Sequence, residues 1–588
     1  MKIENSFSKV LYIDLSKKTF FVEERYDLFS KYLGGTGVAT QLLKENCKEG
    51  ADPLSEDNTL VLAVSPFAGV FPLASKTVAM FKSPLTGDLG ESHAGGRSAI
   101  SIRSTGYGAI VINGKSSVPV YLSIHNGKVR FRNAYTLWGM RSCFQAGAII
   151  RERESGSGIR AIMRIGKAGE NGVAYSAVTT ETYRHFGRLG MGAVMGSKNL
   201  KALVVSGKNS IPLADKKLYR EVYNEIYDAA VKSDVMKKYH DIGTSGNVLS
   251  LQKIGALPTK NLQEGKFEKA KEIDGVHIAE HYLGRRVACA HCPVGCIHIA
   301  NIREPHPNEP YFYKTAQVSY DYELLFALGS MLGIGDEKGM LKLIDEVEAY
   351  CLDAMSTGVV LAWTTEMYEK GLINIEQLNG LELKWGDWET YIKTVEQIVN
   401  QPNDFYKALA KGVAHASKIY GGEDFALAFG KNEMPGYHTG PGCHIGYAIG
   451  TRHSHLCNAG YSLDQKMIVD GTKETPQSIV DSLMKEEKWR QILSSLNLCF
   501  FARGIYTMDV IKRGLKSVGF DLTEEEINSI GEQIYAEKYS FKFREGFSFA
   551  NQKWPKRIFE TKSPSIEFDP KFMDEALAYA EKKIRELL

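Results

Sequence analysis

The spacing of hydrophobic and polar positions changes roughly one third of the way along the chain. The earlier part has short apolar runs separated by turn-forming residues, as in "KVLYIDLSKKTFFVEE" and "NTLVLAVSP". The run "VYLSIHNGKVRFRNA" predicts a hairpin turning at Asn126 and Gly127, because Asn-Gly favours the tight turn between two strands. This part of the chain is therefore predicted to be mainly β-sheet.

Beyond residue 208 the apolar residues follow helical spacing, as in "KKLYREVYNEIYDAAVKSDVMKKY". A further helix is predicted through "DEKGMLKLIDEVEAYCLDAMSTG", ending at Gly358. Most of the remaining chain also has helical spacing. We place domain boundaries near residues 208 and 420, which gives one strand-rich part followed by two mainly helical parts.

Composition narrows the class of protein. The chain has 588 residues, of which 44% are hydrophobic, so it can bury large cores. Lys and Arg number 72 against 69 for Asp and Glu, a balance that argues against a nucleic-acid partner or a charged membrane surface. Its beginning, "MKIENSFSKVLYIDL", is charged where a signal peptide would be apolar, and no long apolar stretch follows. We expect a soluble cytoplasmic protein without membrane insertion.

Three of the nine cysteines lie close together in "ACAHCPVGC": Cys289, Cys292 and Cys296. Because a reducing compartment keeps thiols free, this group indicates metal or redox chemistry rather than a disulfide. The C-x2-C-x3-C spacing favours an iron–sulfur cubane, for which one loop supplies three thiolates and a distant cysteine the fourth. Zinc held with His291 or His298 is the alternative, although no second C-x2-C pair supports it.

Histidines are enriched in "GYHTGPGCHIGYAIGTRHSHLCNAGYSLDQ", which contains His438, His444, His453 and His455. Four of the fourteen histidines in one short segment indicate a functional site. A mononuclear zinc or non-haem iron site is a rival interpretation, but no carboxylate lies at the usual spacing among them.

Several segments together resemble the aldehyde:ferredoxin oxidoreductase family of tungsten bis-pyranopterin enzymes. They include "YLGGTGVATQLL", "KSPLTGDLGESHAGG", "RLGMGAVMGSKNLKAL", "CAHCPVGC", "YDYELLFALGSMLGIGD", "MPGYHTG" and "LNLCFF". The resemblance spans essentially the whole chain. It implies an α+β fold, in which a β-sandwich-like cofactor-binding base (1–208) precedes two mainly helical domains (209–420 and 421–588).

The resemblance also implies the fourth cluster ligand. In the family a distant cysteine completes a [4Fe–4S] site beside one pterin, and the matching residue is Cys499 in "SSLNLC". Two pterin motifs of the form D-x-x-G-L-[D/C] correspond to "EAYCLD" (348–353) and "SSLNLC" (494–499), which retain Asp353, Leu498 and Cys499. The usual Asp and Gly positions are replaced by Glu348, Cys351, Ser494 and Asn497.

Other cofactor contacts follow from the same resemblance. Lys76 matches a residue that bridges cluster and pterin, and Arg188 matches an arginine near the pterin phosphates. His93 falls where a backbone carbonyl is expected to contact Mg²⁺. The full set of expected cofactor-binding residues is Lys76, His93, Gly95, Gly96, Arg188, Gly190, Asp353, Leu498 and Cys499.

For the reaction, the resemblance implies oxidation of an aldehyde to a carboxylic acid at tungsten, with molybdenum as the alternative metal. Glu323 in "SYDYELLF" matches the family's active-site glutamate, and "TRHSHL" matches the loop that supplies a histidine, so His453 and His455 are both candidates. A helix N-terminal carboxylate satisfied by the dipole is the structural alternative for Glu323.

Electrons would leave through the cluster to ferredoxin or to a small polyferredoxin-like iron–sulfur subunit, and a heterodimer or higher oligomer is compatible with this. The alternative is the tungsten subunit of a class II benzoyl-coenzyme A reductase. Such a substrate calls for a basic entrance, and no dense Lys/Arg run lies near the histidine segment. The sequence therefore favours small aldehydes. A non-enzymatic iron–sulfur carrier is disfavoured, because carriers are usually short and rich in cysteine.

Overall fold

The computed structural model describes residues 7–125, 127–154, 156, 158–181 and 183–588. The strands in these ranges are β1 Lys9–Asp14, β2 Thr19–Glu24, β3 Leu60–Ala63, β4 Thr77–Lys82, β5 Leu89–Ala94, β6 Ala109–Asn113, β7 Val120–His125, β8 Lys128–Asn133, β9 Ile159–Arg164, β10 Val178–Thr179, β11 His185–Phe186, β12 Leu200–Gly207, β13 Leu283–Val287, β14 Ile297–Pro305, β15 Tyr313–Tyr320, β16 Ala428–Phe429 and β17 Asn432–Glu433.

The α-helices are α1 Tyr26–Tyr32, α2 Gly35–Asn46, α3 Ser98–Thr105, α4 Cys143–Arg153, α5 Lys167–Glu170, α6 Met191–Ser197, α7 Lys216–Lys232, α8 Asp234–Asp241, α9 Asn247–Ile254, α10 Gly275–Tyr282, α11 Tyr322–Ala327, α12 Glu337–Tyr350, α13 Ala354–Glu369, α14 Trp388–Asn400, α15 Asp404–Leu409, α16 Val413–Tyr420, α17 Pro441–Ile449, α18 His455–Asn458, α19 Gly460–Asp470, α20 Pro476–Ser495, α21 Met508–Ser517, α22 Glu524–Arg544, α23 Arg557–Glu560 and α24 Pro570–Arg585.

The strand-rich part consists of two six-stranded sheets, with strand orders β2-β1-β6-β3-β4-β5 and β11-β10-β9-β12-β7-β8. One core cluster contains apolar side chains from both, including Leu62 and Ile110 of the first sheet and Leu122 and Leu203 of the second. Strands β3, β4 and β12 are buried along their whole length, which explains their nearly continuous apolar runs. The expected α+β class, with its β-rich first part and mainly helical remainder, is confirmed.

The predicted hairpin is present as the antiparallel pair β7 and β8, whose register brings His125 opposite Lys128. Asn126, predicted to form its turn, lies outside the described residues. Among the described residues, no helix is both long and apolar enough to cross a membrane. The domain boundaries near 208 and 420 stay predictions.

The single helix predicted to end at Gly358 is wrong. Helix α12 ends before Cys351, whose φ of 58° is left-handed, and Asp353 then caps α13 by accepting a hydrogen bond from Met355 N. Gly358 lies inside α13, where a Cβ would collide with Ala327 O, so its small size serves helix packing. Apolar spacing alone could not show the break, because both helices bury a face against the same core.

Helix α22 packs the C-terminal part onto the first sheet through buried ion pairs. Lys542 Nζ lies 3.1 Å from Asp88 Oδ2, and Lys82 Nζ lies 2.6 Å from Glu545 Oε2 just beyond the helix. Breaking one such buried pair leaves a charge without its partner, which typically costs about 3–5 kcal/mol. These contacts fix the C-terminal helices against the strands that carry the expected cofactor residues.

Candidate active site and thiol centre

Two distant chain segments bring four cysteines together. Cys289, Cys292 and Cys296 lie on the loop between β13 and β14, and Cys499 follows α20. Both segments are bound to Leu73: Leu73 N donates to His291 O at 3.0 Å, and Cys499 N donates to Leu73 O at 3.0 Å. All four cysteines are free and partly buried.

The end of strand β5 lies directly against this loop. A Cβ built on Gly95 would lie 2.8 Å from Cys289 Sγ and 3.6 Å from Lys76 Nζ, so only glycine leaves room there. Gly96 accepts a hydrogen bond from Ala290 N at 2.9 Å. The pairing of Thr77 with Ala94 explains why Lys76, one residue earlier, lies beside Gly95. Three expected cofactor-binding residues, Lys76, Gly95 and Gly96, therefore lie at the loop between β13 and β14, which we call the thiol loop.

Arg184 was missed by the sequence analysis. Its Nη2 lies 3.8 Å from Cys296 Sγ, while its buried Nε has no hydrogen-bond partner. Burial raises the Cys289 pKa, but the positive charges of Arg184 and Lys76 outweigh it and the net pKa is lowered. Burial instead raises the pKa of Cys292 to about 12. The available signal was one of the two arginines in "ETYRHFGRLG", the other being Arg188.

Of the two histidines considered for the zinc alternative, His298 is already engaged. Both ring nitrogens of His298 already face backbone carbonyls, with Nε2 3.0 Å from His240 O and Nδ1 3.2 Å from Cys296 O. Within the ranges that the structure describes, no group of three or more His, Cys, Asp or Glu side chains is placed to hold a single metal ion. The three thiols of this loop and the thiol of Cys499 are the type of metal ligand that an iron–sulfur cubane uses.

Glu323 and His455 meet in the interior. Asp321 caps α11 through Glu323 N, and the Glu323 side chain reaches His455 at the start of α18, with 3.2 Å between Oε1 and Nε2. Burial and the charge of Asp321 raise the pKa of Glu323 to about 8, against the opposing charge of Arg188. Burial also lowers the pKa of His455, and nearby arginines add to the effect. A buried carboxyl with this pKa is suited to proton transfer near neutral pH.

The other histidines of the segment lie elsewhere. His453 Nδ1 donates to Tyr447 O at 3.0 Å, and its Nε2 lies 3.1 Å from Lys542 Nζ, so it does not meet Glu323. His438 and His444 bond to each other at 2.9 Å. The four histidines therefore do not form one metal site, and only His455 approaches the candidate base.

Arg188 holds the first predicted pterin motif. Its Nε donates to Asp353 Oδ2 at 3.0 Å, and its Nη2 donates to Glu433 O at 2.7 Å. Ser356 Oγ joins the two carboxylates, at 2.6 Å from Asp353 and 2.7 Å from Glu433. Burial raises the pKa of Glu433 to about 6. Glu433 could not be predicted from the sequence, because its role depends on a contact between remote segments.

The two predicted pterin motifs share one backbone feature. Cys351 has a φ of 58° and Asn497 a φ of 57°, and both stand where the family motif has glycine. Asn497 O accepts a hydrogen bond from Lys76 N at 3.1 Å, which ties the second motif to strand β4. The left-handed turn is therefore kept in both motifs without glycine.

Three further predicted residues are structurally defined. His93 Nε2 lies 2.7 Å from Glu91 Oε1, and burial lowers the His93 pKa to about 4. Gly190 caps α6 with a φ of 87°, where a Cβ would meet Ala174 O. Leu498 is buried in the core beside the thiol loop.

The residues present fit a large polar cofactor. Buried polar atoms without a hydrogen-bond partner occur on the side chains described above: Arg184 Nε, Arg188 Nη1, both Glu323 carboxylate oxygens, His455 Nδ1 and both Asn497 amide atoms. Native proteins rarely leave such atoms unsatisfied, so these side chains are suited to binding a polar group. Arginine and lysine here also suit phosphate and sulfur ligands.

Two family models cover most of the chain. One, described as "Aldehyde ferredoxin oxidoreductase, N-terminal domain", matches residues 10–207, and one for "domains 2 & 3" of the same enzyme matches residues 221–581. Fold and site thus define an oxidoreductase with a pterin-type cofactor. The chain belongs to the aldehyde ferredoxin oxidoreductase family.

Individual relatives agree. The chain is 32% identical over 576 residues to the tungsten-containing aldehyde ferredoxin oxidoreductase of Pyrococcus furiosus, covering 95% of this chain and 92% of the relative. It is 32% identical over 430 residues to a WOR-like subunit of an aliphatic sulfonate oxidoreductase from the same organism, covering 70% and 66%. A solved active-site complex of benzoyl-coenzyme A reductase has the same fold, with a TM-score of 0.84 at 20% identity, covering 99% of this chain and 94% of the solved one.

Proposed function

We propose that this family member oxidises aldehydes to carboxylic acids at a tungsten bis-pyranopterin. The observation that carries the proposal is the buried Glu323–His455 pair, 3.2 Å apart, close enough to the partly unsatisfied Arg188 for its charge to act on both groups. The relatives that are about one third identical over nearly the whole chain are named tungsten-containing aldehyde ferredoxin oxidoreductases, which supports this substrate class.

When bound, the tungsten–pterin group would supply two-electron oxidation of the substrate carbon. Arg188, Asp353, Leu498 and Cys499 would hold the pterins, together with the glycines at 95, 96 and 190. Lys76 would contact both the pterin and the cluster that the four cysteines would hold, since its ammonium lies near Gly95 and Cys289. The backbone carbonyl of His93 would help to hold Mg²⁺, which would offset the negative charge of the pterin phosphates.

Glu323 would act as the general base. Its pKa of about 8 leaves much of it protonated at neutral pH, so it can both take up and return a proton within one turnover. His455 would orient the substrate oxygen or the attacking water, because its Nδ1 is buried without a partner while Nε2 faces Glu323. Burial of both groups keeps bulk water out and strengthens their interaction.

Cys289, Cys292, Cys296 and Cys499 would hold a [4Fe–4S] cluster that passes electrons out one at a time. The loop that carries the first three reaches the surface, where His291 and Pro293 are exposed. An external acceptor could therefore approach the cluster closely. We propose ferredoxin or a small polyferredoxin-like subunit as that acceptor, in a heterodimer or larger assembly in the cytoplasm.

Reduction of an aromatic acyl-coenzyme A ester is the second candidate. This candidate is favoured by the structural similarity of nearly the whole chain to a component of benzoyl-coenzyme A reductase. At 20% identity, this similarity concerns the fold alone. Both reactions would use the same acid–base pair, with electrons flowing in opposite directions.

The experiment is anaerobic purification followed by metal analysis and turnover. About one tungsten (or molybdenum) and about four irons per chain are expected, as for one pterin-bound metal and one cubane. Aldehydes and benzoyl-coenzyme A are then compared as substrates, with dye or ferredoxin as the electron carrier. Zinc in place of these metals, or turnover of benzoyl-coenzyme A alone, would contradict aldehyde oxidation.

A further inference from the structure

A cavity of about 400 Å³ opens where the turn between β4 and β5 meets the start of α16. It continues into a cleft of about 750 Å³, and the two share Thr86, Gly87, Ala414, Lys418 and Lys431 in their walls. These volumes are in the range of sites for small organic ligands. Neither Glu323 nor any of the four thiols lines the cavity or the cleft.

Three lysines converge on the cavity from separate positions in the chain. Lys411 precedes α16, Lys418 lies on it, and Lys431 lies on the turn between β16 and β17. They surround His415, whose pKa is lowered by burial and then by the charges of all three. Because the lysines are spread over twenty-one positions, no basic run announces them in the sequence.

These ammonium groups lack acidic partners. Within the part of the chain that the structure describes, Lys411 and Lys418 form no ion pair, and Lys431 Nζ donates only to a backbone oxygen, Thr86 O, at 3.0 Å. Lys431 has a left-handed φ of 69°, which allows the tight turn between β16 and β17. Unpaired ammoniums gathered at one concave surface make the local potential positive.

Acidic residues nearby do not cancel this charge. The carboxylates that line the adjoining cleft each have a lysine partner: Asp88 with Lys542, Glu423 with Lys553, Asp424 with Lys556 and Glu545 with Lys82. In the cavity itself, Asp52 contributes one negative charge against the three lysines; it accepts a hydrogen bond from Leu54 N and, among the described residues, forms no ion pair with them. The three lysines and His415 therefore remain available to an anion.

We propose that this cavity binds an organic ligand carrying two or more phosphate groups, with Lys411, Lys418 and Lys431 on the phosphate oxygens. Several ammoniums around one small cavity match the charge of a diphosphate better than that of a single carboxylate. The cleft beside it offers the rings of Phe547 and Trp554 to the organic part. A nucleoside diphosphate moiety is the chemical class that fits both walls.

The site is also connected to the candidate active centre. Gly412 follows Lys411, and a Cβ there would lie 2.7 Å from Glu433 Oε1, which accepts a hydrogen bond from Val413 N at 3.0 Å. Glu433 in turn accepts a hydrogen bond from Arg188 through its backbone oxygen. A ligand bound to Lys411 would therefore be separated by Gly412 and Glu433 from Arg188, the proposed pterin-binding arginine.

Binding is tested by titration calorimetry on the purified full-length protein at low ionic strength, with ADP and inorganic pyrophosphate as probes. Both should bind, and each of Lys411→Ala, Lys418→Ala and Lys431→Ala should weaken binding roughly tenfold, the loss of one charge-assisted contact. Lys473→Ala is the matched control, because this exposed lysine lies outside the cavity. Absence of binding, or equal weakening by the control, would overturn the proposal.

The phosphates could belong to a substrate or to a separate ligand, and kinetics distinguish the two. If Lys418→Ala raises the KM for benzoyl-coenzyme A and leaves that for a simple aldehyde unchanged, the cavity holds the phosphate end of a substrate. If ADP binding is lost while both KM values stay the same, it holds a separate ligand. Either result supports the site, and the calorimetry needs no turnover, so it can fail independently of the proposed reaction.

Discussion

His455 Nε2 lies 3.2 Å from Glu323 Oε1, although the two residues come from different helices far apart in the chain. Neither of two other plausible partners reaches this carboxyl: His453 faces Lys542, and His438 faces His444. The pair is buried, so its proton affinity is controlled by the protein rather than by solvent.

Replacing Glu323 by glutamine should lower turnover about 10²–10⁴-fold, the usual contribution of a positioned general base. In the unchanged protein, kcat/KM should rise as pH increases through about 8, because the basic form of Glu323 exists above its raised pKa. The Glu323→Gln variant should lose this rise. Tungsten and iron contents serve as the control and should not change, and an unaltered rate would remove Glu323 from the reaction.

The same pKa affects stability. The folded chain holds this proton more tightly than the unfolded one, whose ordinary value is 4.5, so the contribution of Glu323 to stability falls as pH rises from about 4.5 to about 8. Glu323→Gln removes the dependence. Denaturant unfolding at pH 5 and pH 9 should therefore show a smaller loss of stability in the variant, and an equal loss would contradict the raised pKa.

His453 and His455 should give opposite results. His455→Ala should reduce turnover and lower the thermal midpoint less than His453→Ala does, because its Nδ1 has no partner in the described part of the chain. His453→Ala should lower the midpoint, because it leaves Tyr447 O without its buried donor and removes one of the two buried contacts of Lys542, which keeps Asp88, at a cost of about 1–3 kcal/mol. Calorimetry and steady-state rates on both variants measure this, and a catalytic loss confined to His453→Ala would reverse the assignment.

Cys292→Ser should lose cluster iron, since one of four thiolate ligands is replaced by a hydroxyl. Iron per chain and the electron paramagnetic resonance signal of the reduced cluster measure the effect. Cys47→Ser is the matched control, because Cys47 is also buried but lies at the end of α2, away from the thiol loop. A variant with full iron content would show that the loop does not hold a cluster.

Arg188→Met should destabilise the chain by about 3–5 kcal/mol, because Asp353 would be left buried without its cationic partner. The loss should be present in protein prepared without tungsten, which separates it from any loss of cofactor. Denaturant unfolding measures it. Arg585→Met is the control, since that arginine is mostly exposed and its ion pair is with Glu581 on its own helix. A loss no larger than in the control would argue against Arg188 as an anchor.

The sequence predicted the features that depend on local pattern. The period of apolar residues separated sheet from helix, and C-x2-C-x3-C spacing identified three of the thiols. The break at Cys351 was missed, because a left-handed turn without glycine has no clear signature. Arg184, Glu433 and the lysine cavity were missed for another reason: their roles arise from contacts between segments that only folding brings together.

The two backbone hydrogen bonds of Leu73 bear on the order in which the four-cysteine site assembles. The amide and carbonyl of Leu73 are shared between the loop of the first three cysteines and Cys499, so each segment is positioned by a residue of the connection between β3 and β4. The four thiols are brought together only when three parts of the chain have packed against one another: the loop of the first three cysteines, the segment of Cys499 and the connection that carries Leu73. If the four thiols hold the proposed cluster, its metal should therefore be inserted only after these parts of the chain have packed together, and the thiols would have to stay reduced until then.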